Sequence, residues 1–172
     1  MQMREPGRFV AIALSLVAVG CAEQSTSGPS SAVRVVQAGW SFGFCMGPCR
    51  GQLDLAATQL TYQVSSRTGD QVYVRNRGQL SSQGATRLES LASSLPAELQ
   101  ETYGCPDCAD GGASFLTVVR GNESMRTEYE YGRPPEDLSG IDSFLKGVMD
   151  ALGQCRATAE VTLEGGCTPL PD

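Results

Sequence analysis

The sequence lacks one side chain that carries much of protein chemistry and nearly lacks another. Its 172 residues include no histidine, and Lys146 is the only lysine. The absence of histidine excludes Ser-His-Asp and Cys-His catalysis, imidazole acid–base chemistry and nearly all catalytic zinc and copper sites. The formal net charge of −6, with scattered arginines, argues against a nucleic-acid partner. We therefore predict no nucleic-acid binding and no cofactor.

The first twenty residues have the layout of a signal peptide. Two arginines precede a largely apolar run over residues 9–19, which is shorter than the roughly 20 apolar residues needed to span a bilayer. Residues 18–21 read Ala-Val-Gly-Cys and resemble the lipobox of bacterial lipoproteins. The resemblance implies that residues 1–20 are removed and that Cys21 carries a diacylglycerol. An ordinary secretory signal cleaved nearby is the alternative.

The residues after Cys21 predict where the chain resides and how it is attached. Ala22, rather than aspartate, follows the cysteine, which by analogy with Gram-negative lipoproteins implies the outer membrane, facing the periplasm or the surface. Residues 21–32 are otherwise small and polar, a composition typical of a flexible tether. We expect attachment to the membrane through the lipid, and a single domain over residues 33–172, which is long enough for one core.

Seven cysteines are present, and six remain if Cys21 is acylated. An even number in an exported chain favours three disulfides. Six cysteines allow 15 connectivities, and the sequence does not choose among them, although proximity favours pairing each with its nearest neighbour. The six are Cys45, Cys49, Cys105, Cys108, Cys155 and Cys167.

Other uses of the short cysteine pairs remain open. Cys45, Cys49, Cys105 and Cys108 could together supply the four ligands of a structural zinc site. An oxidising compartment disfavours the free thiolates that such a site requires. Cys105 and Cys108 have the spacing of a thioredoxin-like redox pair, but a loop and a strand follow them, not a helix. A c-type haem requires histidine where Ala109 stands. We expect the six cysteines to form structural disulfides.

From residue 33 onward the chain alternates apolar and polar residues, as strands do, with two helical stretches. Strands are predicted over residues 33–44, 53–55, 60–64, 72–74, 113–119 and 125–131, with a further candidate over 157–163. Apolar stripes predict helices ending near Leu95 and Leu152. Each half of the chain thus predicts a hairpin followed by a helix, a degenerate ββα repeat. We predict a two-layer α+β domain with an antiparallel sheet of five or six strands and both helices on one face, leaving a polar or binding face opposite.

A second resemblance concerns residues 41–95, about a third of the chain. They contain Cys45-Met46-Gly47-Pro48-Cys49, then a hairpin and a helix. This order is similar to a bacterial family of exported domains of unknown function, which has a Cys-x-Gly-x-Cys-Pro turn after its first strand. Arg50 stands where proline usually follows. The resemblance implies an envelope-associated α+β domain and implies no activity.

Three groups of polar residues are candidate sites for catalysis or for an ion. Ser143 and Lys146 match Ser-x-x-Lys, but the companion motifs of penicillin-recognising enzymes are absent. Glu128 and Glu130 resemble the paired carboxylates of glycosidases, and residues 107–112 have the oxygen ligands of a calcium loop without EF-hand spacing. An exposed helix face, a solvated strand and a tight turn are the commoner explanations.

The function predicted from these observations is a non-catalytic, lipid-anchored envelope domain that binds a protein or a surface polymer. An enzyme using carboxylates or the Ser-Lys pair, and a metal or redox protein using the cysteine pairs, are the alternatives. Aromatic side chains are the predicted contact surface if they are exposed, and otherwise belong to the core. They are Trp40, Phe42, Phe44, Tyr129 and Tyr131.

Overall fold

The computed structural model describes residues 32–170, which form eight strands and two helices. The predicted signal peptide, Cys21 and the tether up to residue 31 lie outside the described residues. The strands are β1 (Val33–Ser41), β2 (Arg50–Ala56), β3 (Gln59–Ser65), β4 (Val72–Leu80), β5 (Thr102–Tyr103), β6 (Ala113–Arg120), β7 (Glu123–Glu130) and β8 (Val161–Leu163). The helices are α1 (Ser82–Ser93) and α2 (Glu136–Gly153).

All eight strands belong to one mixed sheet with the order β5-β7-β6-β1-β2-β3-β4-β8. The α+β class is confirmed, but the prediction of five or six strands, all antiparallel, is wrong. Strand β5 has two residues and pairs parallel to β7, whereas every other pairing is antiparallel. Two residues are too few to show an alternating pattern, so β5 could not be predicted from periodicity.

The predicted ββα repeat holds for only one half of the chain. Strands β6 and β7 form a hairpin that leads into α2, but four strands, not two, precede α1. Strand β1 also ends at Ser41, so Phe42 and Phe44 lie in the following loop and not on one strand face with Trp40. The loop begins there because the chain must turn within the segment that Cys45 and Cys49 close.

The hydrophobic core lies between one face of the sheet and the two helices. Cross-strand partners such as Leu53 and Tyr62, or Ala38 and Leu116, share this face and are buried. Helix α1 starts where the Ser81 hydroxyl accepts a hydrogen bond from the Gly84 N–H at 3.1 Å, a typical N-cap. The predicted apolar stripe of α2 is buried, as a helix packed on a sheet requires. The stripe comprises Leu138, Ile141, Leu145, Val148, Met149 and Leu152.

The opposite face of the sheet is polar, and many of its side chains bond to one another. Gln37 and Gln52 both donate to the carboxylate of Asp54, at 2.8 and 3.1 Å. The Arg126 guanidinium lies 3.7 Å from the ring centroid of Phe115 and covers this large apolar side chain. This face is therefore polar, which is one of the two possibilities predicted for it. Gln37, Gln52 and Asp54 bond to one another.

A buried asparagine fastens the C-terminal segment to the core. Asn76 is 1% exposed; its amide donates to the carbonyls of Leu152 and Thr168, at 2.8 and 2.7 Å, and accepts from the Thr168 N–H at 2.9 Å. The disulfide between Cys155 and Cys167 closes the same segment. As the sequence suggested, this disulfide links the end of α2 to the chain that follows.

The strand directions give the sheet two distinct ends. At one end, called here the loop end, lie residues 42–49, 66–71, 104–112 and 131–135, which connect β1 to β2, β3 to β4, β5 to β6 and β7 to α2. At the other end, called the Val33 end, β1 begins and short turns join β2 to β3 and β6 to β7. Strand β1 therefore begins at the end of the sheet opposite the connections that contain Cys45, Cys49, Cys105 and Cys108.

Candidate functional site at the loop end

Two short disulfide loops meet at the loop end. The disulfide between Cys45 and Cys49 closes the β1–β2 loop, and that between Cys105 and Cys108 lies in the β5–β6 loop. The Gly43 N–H donates to Oδ1 of Asp107 at 3.1 Å. A Cβ on Gly43 would lie only 2.2 Å from Oδ2 of the same carboxylate, so this contact requires glycine. The two loops thus form one braced unit.

All six cysteines of the described chain are in disulfides, each with its nearest neighbour in sequence. Their Cα atoms are 5.5, 5.5 and 5.7 Å apart, within the usual range. The four-cysteine zinc site is not assembled, and residues 32–170 contain no group of three or more acidic or cysteine side chains suited to a metal ion. The redox pair stays a hypothesis; a short 3-10 turn, not an α-helix, follows Cys105.

The β5–β6 loop has an unusual backbone. Asp107, Ala109 and Asp110 adopt left-handed conformations with φ of 59°, 50° and 61°. Aspartate adopts this region more readily than most residues with a Cβ, so the cost, about 1–2 kcal/mol for other residues, falls mainly on Ala109. The strain is held by a bond from the Asp107 N–H to the Gly112 carbonyl at 3.0 Å and by the disulfide. Backbone strain of this kind is common at functional sites, so the β5–β6 loop is a candidate part of a functional site.

Three aromatic rings pack together behind the disulfide loops. Phe42 lies 5.6 Å from Trp40 and 4.9 Å from Tyr131, between ring centroids, and the last two are 6.4 Å apart. Trp40 and Phe42 are half-buried, whereas Tyr131 is exposed. Tyr129 is buried in the core. Of the five aromatic side chains predicted to form a contact surface if exposed, Phe44 and Tyr131 are exposed and Tyr129 belongs to the core; contact of the exposed rings with a partner stays a prediction.

Three of the four exposed large apolar side chains of residues 32–170 lie at the loop end, and the fourth, Val72, begins β4 next to it. Met46 is 99% exposed and Phe44 87%, and both belong to the loop that Cys45 and Cys49 close. Val72 and Tyr131 are 44% and 36% exposed. Met46 and Val72 were not predicted. The spacing of Cys45 and Cys49 indicates a tight loop at Met46, but the outward direction of its side chain depends on how that loop is oriented.

A narrow cleft lies beside the aromatic rings. It is lined by Trp40 and Tyr131 on one side and by Asp142, Lys146 and Asp150 of α2 on the other. Its volume is about 40 Å³, far below the roughly 300–1,000 Å³ of small-molecule sites. The Lys146 ammonium lies 5.7 Å from the Tyr131 ring centroid. The cleft is thus suited to a single protruding side chain and not to a metabolite.

One wall of the cleft is fixed by a buried tyrosine. The Tyr129 hydroxyl donates to Oδ1 of Asp142 at 2.7 Å, which ties β7 to α2. Burial raises the pKa of Tyr129, and the neighbouring charge and hydrogen bond of Asp142 raise it further. Burial also raises the pKa of Tyr62 to about 12, partly opposed by a hydrogen bond with Trp40. Both hydroxyls therefore stay protonated; that of Tyr129 donates to Asp142, whereas that of Tyr62 accepts from the indole N–H of Trp40.

The residues singled out as catalytic candidates are not brought together. Ser143 is exposed, and within the described chain no hydrogen bond joins it to Lys146. Glu128 forms a salt bridge with Arg126 at 2.8 Å. Glu130 forms one at 3.5 Å with Arg133, in the connection from β7 to α2. For the calcium hypothesis, Asp107 is engaged with the Gly43 N–H instead of a cluster of acids.

The comparisons with known proteins add no identity. No family model, no curated protein and no solved structure matches this chain. Over residues 32–170, neither helix has both the length and the apolar character needed to cross a membrane. The resemblance of residues 41–95 to exported domains stays a prediction.

Proposed function

We propose that this protein is a lipid-anchored, non-catalytic domain of the cell envelope that binds a protein partner through its loop end. One observation carries the proposal: the two most exposed large apolar side chains of residues 32–170, Phe44 and Met46, lie together on the disulfide loop between β1 and β2, at the loop end. Exposed apolar groups that cluster on a soluble surface, surrounded by polar residues, mark interaction sites.

The lipid predicted on Cys21 determines which way the loop end faces relative to the membrane. Eleven residues separate Cys21 from Val33, and extended they span at most about 40 Å. They join the sheet at the Val33 end, whereas Phe44 and Met46 lie at the loop end. A lipid on Cys21 would therefore leave the loop end free to face away from the membrane that holds it.

The composition of the loop end favours a protein over a charged polymer. Arginines and aspartates are both present, for example Arg67, Arg133, Asp70 and Asp110, so the surface has no strong charge of one sign. Phenylalanine, tyrosine and methionine are enriched in protein interfaces, and methionine adapts to irregular pockets. Bracing by disulfides reduces the ordering entropy that binding costs. The narrow cleft next to Tyr131 offers a place for one side chain of the partner.

The proposal is tested by co-sedimentation with cell envelopes from a strain of the native host that lacks this protein. The chain is secreted with Cys21→Ala, so that binding cannot come from the lipid. We expect saturable binding that weakens at least about tenfold in the double variant Phe44→Ser/Met46→Ser, because exposed anchors of this kind each contribute roughly 1 kcal/mol or more.

Two controls identify the partner and the surface. Val119→Ser changes a half-buried valine on the polar face of the sheet, outside the loop end, and should leave binding within about twofold. Digesting the envelopes with a protease before mixing should abolish binding if the partner is a protein. Binding that survives digestion, or that ignores Phe44 and Met46, contradicts the proposal.

A further inference from the structure

The Val33 end has an apolar groove that the loop-end function does not use. It lies between α1 and the sheet and has a volume of about 410 Å³. This is within the roughly 300–1,000 Å³ typical of ligand sites. Its walls are aliphatic and include Val33, Val36, Leu55, Leu80 and Leu88. A groove of this size and lining accepts an aliphatic chain.

Small side chains create the space in this groove. Alanine stands at several lining positions where a larger aliphatic residue would fill the volume between helix and sheet; these are Ala32, Ala56, Ala57, Ala85 and Ala92. Ala57 has φ of 56°, a left-handed conformation that glycine or asparagine adopts more readily. Keeping a methyl group there against the backbone preference adds apolar surface at the lip of the groove.

We propose that the groove binds an acyl chain of the lipid on Cys21, an inference that rests on the lipid anchor of the proposed function. The groove opens where the described chain begins, since Ala32 and Val33 are among its lining residues. Cys21 is eleven residues before Ala32, and a segment of that length is long enough for a lipid on Cys21 to reach the groove.

The composition of the intervening segment supports the choice of the acyl chain as occupant. Residues 22–31 read AEQSTSGPSS, which offers no large apolar side chain to fill an aliphatic groove. The charged groups among the lining residues are Arg34 and Glu89, both exposed, so the rim is polar and the floor is not. The groove shields one acyl chain from water while the protein is away from the bilayer. It releases this acyl chain when the acyl chain inserts into the bilayer.

The test uses intact cells that produce the full chain and are fed a fatty acid with a diazirine near its methyl end. After illumination, the protein is purified and digested, and cross-linked peptides are mapped. We expect label on Cys21 and cross-links in residues 32–36, 55–57 or 85–92. The variant Ala85→Leu fills the groove and should reduce these cross-links at least about fivefold. Gln83→Leu adds the same side chain to the same helix, at an exposed position outside the groove lining, and should leave them unchanged.

Further arms separate the possible failures. Ala56→Phe fills the groove from the β2 side and replaces Ala85→Leu if that variant does not fold. Labelled Cys21 with cross-links only to membrane lipid, or equal cross-links in the filled variants, overturns the groove assignment and leaves the anchor standing. Groove cross-links in Cys21→Ala would identify a free lipid as the occupant and overturn the assignment to Cys21. No fatty acid on Cys21 overturns the anchor and this inference together.

Discussion

The backbone N–H of Gly43 lies 3.1 Å from Oδ1 of Asp107 and donates a hydrogen bond to it. The two residues are 64 positions apart and belong to different disulfide loops. The bond joins the two loops directly, and the exposed side chains of Phe44 and Met46 belong to one of them. This contact therefore links the cysteine pattern of the sequence to the proposed binding surface.

Replacing Asp107 tests this link. In Asp107→Ala the acceptor is lost and a residue poorly suited to φ of 59° takes its place, so the free energy of unfolding should fall by about 1–3 kcal/mol. Asp107→Asn keeps an oxygen acceptor and tolerates the left-handed backbone, so it should lose less than about 1 kcal/mol. Chemical denaturation measures both, and amide exchange at Gly43 reports the bond directly. Equal losses in the two variants would contradict the role given to this side chain.

Stability should decline at alkaline pH because of two buried tyrosines. An unfolded tyrosine loses its proton near pH 10, whereas burial raises the pKa of Tyr62 to about 12 and that of Tyr129 further. The folded state therefore holds more protons above pH 10, and the free energy of unfolding should fall there by about 1.4 kcal/mol per pH unit for each tyrosine.

The variant Tyr129→Phe isolates one of these contributions. It should cost about 1 kcal/mol at neutral pH, since the hydrogen bond to Asp142 is lost, and its stability should fall less steeply above pH 10. Urea unfolding at pH 7 to 11 gives both quantities. Parallel curves for the variant and the wild type between pH 10 and 11 would show that Tyr129 is not the titrating group.

Asn76 should be one of the most sensitive positions of the core. Asn76→Ala leaves the Leu152 carbonyl and the backbone groups of Thr168 without their partners, so we expect a loss of roughly 2–4 kcal/mol. Asn122→Ala, in the exposed β6–β7 turn, is the matched control and should change stability by less than about 0.5 kcal/mol. Thermal unfolding distinguishes them, and similar melting temperatures would refute the account of the C-terminal segment.

Thr127 offers the opposite test, a substitution that stabilises. Its side chain is fully buried, and its hydroxyl has no hydrogen-bond partner within residues 32–170. Thr127→Val replaces the hydroxyl with a methyl group of similar size and should raise the free energy of unfolding by about 1 kcal/mol. Thr127→Ala leaves a cavity and should lower it. A destabilised Thr127→Val would mean that the hydroxyl is satisfied in solution.

The layout of the fold was largely predictable, because alternation and helical stripes reflect burial on one face. This pattern predicted β6, β7 and α2 well, as well as the polar second face. It failed in two ways: the two residues of β5 are too few to show a period, and Phe42 and Phe44 continue the alternation of β1 but lie beyond its end. Local repetition of apolar residues does not reveal where a strand stops.

The candidate site was predictable only in part, for a different physical reason. The cysteine pairs and Tyr131 were noted from the sequence, but exposure of Met46 depends on how a closed loop is oriented. Similarly, the partners of Asn76 lie 76 and 92 residues away, and no local pattern indicates such distant contacts. The hydrogen bond between Gly43 and Asp107, which joins the two disulfide loops, is likewise a contact between distant residues that no local pattern indicates.

The central claim, that the loop end contacts a protein, is tested most directly by a photo-reactive amino acid in living cells. We would place it at Met46 of the full chain and, as a control, at Asn122, which is also exposed but lies at the Val33 end. The account predicts a discrete protein adduct from position 46 that disappears with Phe44→Ser, and none from position 122. No adduct at position 46, adducts with lipid alone, or equal adducts at both positions would contradict it.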